Sequence, residues 1–164
     1  MKNVLIPTDF SPGSLDMIAA VAAGADEKVN IILFHAFDMP VSLVDAMMRT
    51  GANGHYSMVT ENLRVKCRKI KTSNQMVGNI SFKFMYGTSV ALFRNFAAAY
   101  RLDMIALPEN YFFVQVVRES VNPLHMFKKS GIPVQVFSSV VASVPIRYAS
   151  TNEAHDRRVS MAGE

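Results

Sequence analysis

The sequence predicts an α/β fold in which one doubly wound, five-stranded parallel sheet carries helices on both faces. Five short apolar runs alternate with segments whose apolar residues recur at helical spacing. This alternation is typical of a parallel sheet joined by right-handed crossovers. Most of the runs are apolar nearly throughout, as expected of strands covered on both faces. With 164 residues, half of them hydrophobic, the chain is long enough to bury the core of one domain.

The first half of the chain contributes two strands and two helices. Residues 2–9 form a short apolar run that ends in a proline and an aspartate, which predicts the first strand. Ser11 and Pro12 then suit the cap and the first position of a helix. Residues 29–37 predict the second strand. A long connection follows, and a second main helix is expected to begin near Tyr56.

The second half contributes three strands and two further helices. Residues 79–87 alternate apolar and polar side chains, which predicts a half-covered strand nearer the sheet edge. Residues 103–108 and 132–138 are the fourth and fifth apolar runs. One helix, capped by Thr88 or Ser89, is expected before the fourth run, and another at 122–130, ended by Gly131, before the fifth. Together these elements predict one domain over residues 1–138.

The remaining residues and the composition restrict the protein class. Residues 139–164 lose periodicity and become polar after Arg147, so we expect a flexible C-terminal tail. The single cysteine, Cys67, excludes an intrachain disulfide framework and favours a reducing compartment. We find no secretory signal, and no apolar run approaches the roughly 20 residues needed to cross a bilayer. We therefore expect a cytoplasmic protein without membrane insertion.

A basic stripe is predicted on the second main helix. The chain has a net charge of +4, and Arg64, Arg68 and Lys71 recur on one helical face. Such a stripe is usually a solvated surface, and whether it ever binds an anion stays open. Nucleic-acid recognition would require a wider basic patch with aromatic residues or a known reading module. We therefore expect no specific nucleic-acid partner.

Four segments in order resemble universal stress proteins. They are "KNVLIPTDFSPGS", "ILFHAF", "YGTSVALFRNFAAAYRLDMIAL" and "SGIPVQVF", and the resemblance covers residues 1–138. It implies an adenine-nucleotide α-hydrolase-like, Rossmann-like three-layer sandwich with strand order 3-2-1-4-5. It also implies a homodimer, often paired through the last strand, and a role in surviving stress rather than a known catalytic turnover.

Many members of this family bind ATP through a glycine signature after the fourth strand, and this chain departs from it. The first two glycine positions match Pro108 and Tyr111, and the last glycine-serine pair matches Glu119 and Ser120. Proline removes a backbone donor, and tyrosine disfavours a positive φ. A carboxylate at Glu119 would repel a triphosphate. The chain therefore resembles the members that do not bind ATP.

Two residues keep a second interpretation open. Asp9 matches the adenosine-side aspartate of ATP-binding members, although it equally suits a strand-end acid that accepts hydrogen bonds from the next helix. Ser120 keeps the hydroxyl of the signature, although it equally suits a helix N-cap before Pro123. The first interpretation predicts no cofactor. The second predicts ATP or AMP bound through Asp9 and Ser120 with a non-standard loop.

An aromatic run in the same loop also has several interpretations. Tyr111, Phe112 and Phe113 follow the fourth strand, where a ligand normally lies in an open α/β sheet. They could fill the vacated nucleotide cleft, belong to ordinary core under the loop, or form a surface for a partner. As a partner surface they are interface candidates.

The last strand predicts self-association, because an apolar strand at a sheet edge pairs readily with a second copy. The interface candidates there are Pro133, Val134, Val136 and Phe137. No nucleophile elbow, catalytic triad or helical metal-ligand pair is visible, which points away from an enzyme. We therefore expect a homodimeric stress-response protein that acts as a protein-interaction or regulatory module for an unidentified protein partner.

Overall fold

The computed structural model describes residues 1–138, and the tail predicted at 139–164 lies outside the described residues. The described strands are β1 (Lys2–Pro7), β2 (Val29–Phe37), β3 (Val77–Tyr86), β4 (Met104–Pro108), β5 (Ser120–Val121) and β6 (Val134–Phe137). The described α-helices are α1 (Asp16–Ala23), α2 (Leu43–Thr50), α3 (Glu61–Ser73), α4 (Val90–Ala99) and α5 (Leu124–Lys129). Two 3-10 turns, Pro12–Leu15 and His55–Met58, precede α1 and α3.

The main sheet has the strand order β3-β2-β1-β4-β6, with these five strands parallel. This confirms the predicted fold class and the predicted order of the five main strands. The expectation of a purely parallel, five-stranded sheet is wrong in one respect, because the short strand β5 pairs antiparallel with β2. Strand β1 ends at Pro7, which pairs with Phe34, so β1 does not reach the last residues of β2. Strand β5 pairs with β2 there.

Helices cover both faces of the sheet and produce two separate cores. Helices α1 and α3 pack over one face, with Ile18 and Leu63 at the centre of that core. Helices α4 and α5 pack over the other face, where Phe93 and Phe127 contact Phe34 of β2. Burying each of these large side chains contributes about 1.5–3 kcal/mol to folding. The result is the predicted three-layer sandwich.

Side-chain caps decide where two of the helices begin. Thr60 Oγ1 accepts a hydrogen bond from the Leu63 backbone amide, and Ser89 Oγ accepts one from Leu92. The helix expected near Tyr56 therefore begins at Glu61, since the cap at Thr60 marks its first turn. Tyr56 lies instead in the preceding 3-10 turn.

The interpretation of Ser120 as a helix N-cap is wrong. Ser120 lies in strand β5, and helix α5 begins at Leu124 with Pro123 at the cap position. Asn122 Oδ1 accepts a hydrogen bond from the Leu124 amide at 3.1 Å. Ser120 pairs with β2 in the sheet and so cannot cap the helix. The hydrogen bond from the Leu124 amide to Asn122 precedes the helix instead.

Candidate functional site

A cleft opens at the carboxyl ends of β1, β2 and β4. Its volume is about 290 Å³. It is bounded by the loop between β1 and α1, by the end of β2, and by the loop after β4. Carboxyl ends of parallel strands meet at one edge of the sheet, and ligands of open α/β folds bind there. The cleft is therefore the candidate functional site.

The loop between β1 and α1 places Asp9 in the wall of the cleft. Asp9 Oδ1 accepts hydrogen bonds from the Ser11 amide and from the Ser11 hydroxyl. Thr8 Oγ1 accepts a hydrogen bond from the Phe10 amide at 3.0 Å. Asp9 thus holds the entry to the next helix, as one interpretation of the sequence expected, while it also lines the cleft.

Phe10 gives this loop an unusual backbone. Its φ is 62°, which lies in the left-handed region that residues other than glycine rarely adopt. The Phe10 ring is buried and lies 4.9 Å from the ring of His35 and 5.6 Å from the ring of Phe84, centroid to centroid. Aromatic packing therefore holds the loop in a strained conformation of the kind that concentrates at functional sites.

His35 connects the loop after β1 to strand β5. Its Nδ1 lies 2.7 Å from the Thr8 carbonyl oxygen, and its Nε2 lies 2.8 Å from Ser120 Oγ. Because a carbonyl only accepts, Nδ1 donates, and Nε2 of the neutral ring accepts from the Ser120 hydroxyl. Ser120 Oγ in turn accepts from the Val117 amide at 3.1 Å. Burial lowers the pKa of His35, which agrees with the neutral form.

The pair of His35 and Ser120 resembles a serine activated by a histidine base, but its position argues for a structural role. Both side chains are buried. His35 lines the cleft, whereas Ser120 lies outside its lining. A nucleophile must reach its substrate, so this serine anchors the loop. Sequence reasoning missed the pair because its two members are 85 positions apart.

The loop after β4 supplies the aromatic wall of the cleft. The Tyr111 amide donates to the Pro108 carbonyl at 3.1 Å, which closes a turn between the two residues. Tyr111 and Phe113 are half-buried and line the cleft, whereas Phe112 is 75% exposed at its mouth. Burial, with a further contribution from Asp9, raises the pKa of Tyr111 to about 12. Tyr111 is therefore a neutral phenol.

The expectation that Glu119 places its carboxylate at a phosphate position is wrong. Glu119 is absent from the lining of the cleft. Its Oε2 lies 3.6 Å from Nε2 of His55, whose ring stacks on Phe37 at 3.8 Å between centroids. Because β5 pairs antiparallel with β2, the Glu119 carbonyl accepts a hydrogen bond from the Asp38 amide. The Glu119 carboxylate then lies beside His55 and outside the cleft.

The cleft is acidic and apolar. Two carboxylates line it, Asp9 and Asp16, and no lysine or arginine of the described residues does so. The predicted basic stripe of Arg64, Arg68 and Lys71 lies exposed on α3, outside the cleft lining. Arg68 forms an exposed ion pair with Glu61 at 2.9 Å. The cleft itself therefore offers no cation to a phosphate group.

The interface candidates of the last strand lie at the sheet edge. Strand β6 pairs with β4 and ends the strand order. Val134 is 39% exposed and Val136 is 57% exposed, while Pro133 is exposed and Phe137 is half-buried. Within residues 1–138, β6 therefore has a strand partner on one edge only, and its exposed side chains are apolar.

A second apolar surface was not predicted. It consists of side chains that are 63–89% exposed, and we call it the α2 surface: Met39, Val41, Leu43, Val44, Met47 and Met48. Helix α2 turns its polar face inward, where buried Arg49 pairs with Asp38 at 2.8 Å and with Asp45 at 2.9 Å. The signal in the sequence was an amphipathic helix, but amphipathicity alone does not say which face is buried.

Two further kinds of site are absent from the described part of the chain. Within residues 1–138, no group of three or more histidine, cysteine, aspartate or glutamate side chains could hold a metal ion. No helix in the same range is both long enough and apolar enough to span a bilayer.

Burial raises the pKa of the Cys67 thiol, which makes it a poor nucleophile.

Comparisons with known proteins identify the fold. No family model matches the chain, and no curated protein matches it. The structure of the universal stress protein UspA from Lactobacillus plantarum is 15% identical, with a TM-score of 0.53 over 83% of this chain and 97% of that chain. The crystal structure of a hypothetical protein is 18% identical, with a TM-score of 0.52 over 85% of this chain and 96% of that one. The chain therefore has the fold of universal stress proteins, as the resemblance of its sequence predicted.

Proposed function

We propose that this chain is a cytoplasmic stress-response protein of the universal stress family, which acts as a homodimeric regulatory module and not as an enzyme. It would work through protein contacts, and its phosphate loop is degenerate. The fold supports the family assignment. The observation that carries the protein-contact role is the α2 surface.

The α2 surface supports a protein partner by its size and chemistry. Its six exposed apolar side chains all fall within ten residues, 39–48, and exposed apolar patches on soluble proteins usually mark interaction sites. Three of the six are methionines, whose flexible side chains adapt to partners of different shape. The inward ion pairs of Arg49 hold α2 so that these side chains face solvent.

The edge of β6 supports a homodimer. Val134 and Val136 are exposed on β6, which has no second strand partner within residues 1–138, so two copies of this strand would pair edge to edge. Light scattering of the purified protein tests this. We expect twice the chain mass of 18.2 kDa for the wild type and the single-chain mass for the double variant Val134→Lys and Val136→Lys. The matched control is Thr72→Lys on exposed α3, which should stay dimeric.

Site-specific photo-crosslinking in cells tests the role of the α2 surface. A photoreactive phenylalanine at Met47 should give an adduct heavier than the homodimer, and the same group at exposed Thr72 should not. The adduct should disappear when Leu43→Glu is added, because a carboxylate would have to be desolvated in the contact. Equal labelling from both positions, or adducts with the homodimer alone, would contradict a protein partner at this surface.

A second candidate function is supported by the cleft itself. A cavity of about 290 Å³ lies at the carboxyl ends of the strands, where ligands of open α/β folds bind, and Asp9 lines it. An adenosine ligand such as ATP or AMP, held through Asp9 with a non-standard loop, is the alternative. Ser120, the other residue of this hypothesis, is committed to His35. A nucleotide absorbance band in the purified protein, together with binding of AMP that Asp9→Asn abolishes, would favour this alternative.

A further inference from the structure

The cleft combines aromatic walls with carboxylates. Its accessible aromatic side chains are Tyr111, Phe112 and Phe113, whereas Phe34 of the lining is fully buried. Asp9 stands in its wall at the end of β1, and Asp16 lies at the start of α1. Aromatic faces attract cations through their ring quadrupoles, and carboxylates attract them directly. Both parts of the lining therefore favour the same sign of ligand charge.

The polar groups of the cleft leave one strong acceptor available. Asp9 Oδ1 is engaged by Ser11, whereas within residues 1–138 its Oδ2 accepts no hydrogen bond. His35 has both ring nitrogens engaged by Thr8 and Ser120. Asp9 Oδ2 is thus available to accept a hydrogen bond from a ligand in the cleft.

The electrostatic environment of Tyr111 points in the same direction. Besides burial, the negative charge of Asp9 disfavours ionisation of this phenol. No lysine or arginine among the described residues lines the cleft to offset that charge. An anionic ligand would meet repulsion in a partly dry site, where charges interact more strongly than in water.

We propose that the cleft binds a small organic cation, an amine attached to an aromatic body. Its volume of about 290 Å³ lies at the lower end of the range of about 300–1,000 Å³ that is typical for ligand pockets, which suits one aromatic amine. The ammonium group donates to Asp9, and the aromatic body lies against Tyr111 and Phe113. This inference concerns the cleft alone and is independent of dimerisation and of the α2 surface.

Three indole probes that differ mainly in charge test the proposal. Tryptamine is the cation, tryptophol its neutral counterpart and indole-3-acetate an anion of similar size. Because the chain has no tryptophan, indole fluorescence anisotropy reports binding directly. We expect tryptamine to bind about tenfold more tightly than tryptophol, as one charge-assisted hydrogen bond would give. Indole-3-acetate should not bind measurably.

Two variants locate the binding and one serves as control. Asp9→Asn keeps an oxygen for the Ser11 amide and should lower the tryptamine affinity about tenfold, to the level of tryptophol. Gly13→Phe should block tryptamine and tryptophol alike by filling the cleft mouth. A Cβ at Gly13 meets only Ser11 Oγ, at 3.8 Å, so the backbone accepts the change. The matched control is Asp26→Asn, an exposed aspartate that pairs with Lys2.

Each outcome decides the proposal. Charge-selective binding of tryptamine that Asp9→Asn and Gly13→Phe remove, and Asp26→Asn preserves, supports it. Failure of tryptamine to bind overturns it. So does equal or tighter binding of indole-3-acetate, or unchanged tryptamine affinity in a folded Asp9→Asn protein. Light scattering on the same samples shows separately whether the proposed dimer is present.

Discussion

His35 Nε2 and Ser120 Oγ lie 2.8 Å apart and form a buried hydrogen bond between strand β2 and strand β5. The other ring nitrogen of His35 binds the Thr8 carbonyl at the end of β1. One side chain thus connects the loop after β1, which lines the cleft, to strand β5. The contact therefore links the loop after β1 to the chain segment that follows the loop after β4.

Removing the Ser120 hydroxyl should destabilise the fold. In Ser120→Ala, His35 Nε2 and the Val117 amide both lose their partner in a buried environment. We expect the free energy of unfolding to fall by about 1–3 kcal/mol, measured by urea denaturation. Thr88→Ala, at an exposed threonine, is the control and should change it by less than about 0.5 kcal/mol. A loss for Ser120→Ala as small as the control's would refute the structural role.

Stability should decrease on mild acidification. Burial lowers the pKa of His35 and the pKa of His55 below the ordinary value of 6.5. The unfolded chain therefore binds more protons than the folded chain once the pH falls below about 6.5. The stabilisation is fully present above that pH and is lost as the pH falls toward the folded pKa values.

The His35→Gln variant isolates one part of this dependence. Titration of the free energy of unfolding from about pH 7.5 to about pH 5.5 should give a shallower slope in the variant, with the remaining slope due to His55. Parallel curves for the two proteins would show that His35 is not held neutral in the folded state.

Helix α2 should lose its orientation when Arg49 is replaced. The guanidinium is buried and pairs with Asp38 and Asp45, so Arg49→Gln leaves two carboxylates without their cation. We expect the amides of α2 to exchange with solvent about tenfold or more faster, measured by hydrogen-deuterium exchange. Arg68→Gln breaks an exposed ion pair on α3 and serves as the control. Unchanged protection of α2 would mean that apolar contacts, rather than these ion pairs, position the helix.

The fold was predictable because its elements have strong local signals. The apolar runs at 2–9, 29–37 and 103–108 correspond to β1, β2 and β4, and the strand order implied by the resemblance is present. Strand β5 was not predictable. A two-residue strand has no periodicity, and it forms on the one edge of β2 that extends beyond the end of β1, a non-local neighbour.

The candidate site was predictable in part. Asp9 and Tyr111 were singled out by position in the chain, and both line the cleft. The directions of Glu119 and Ser120 depend on the pairing of β5, so their partners His55 and His35 could not be read from sequence spacing. The orientation of α2 was also hidden, because buried ion pairs reverse the usual rule that the apolar face packs inward.

Calorimetric titration of the purified protein with MgATP tests most directly whether the cleft binds phosphate groups. AMP is the matched ligand of lower charge. We expect no binding heat for MgATP at concentrations up to about 1 mM, which corresponds to a binding free energy weaker than about 4 kcal/mol. Saturable micromolar binding of MgATP, stronger than that of AMP, would contradict the account, because it would show that the loop after β4 holds phosphates without glycine or a lining cation.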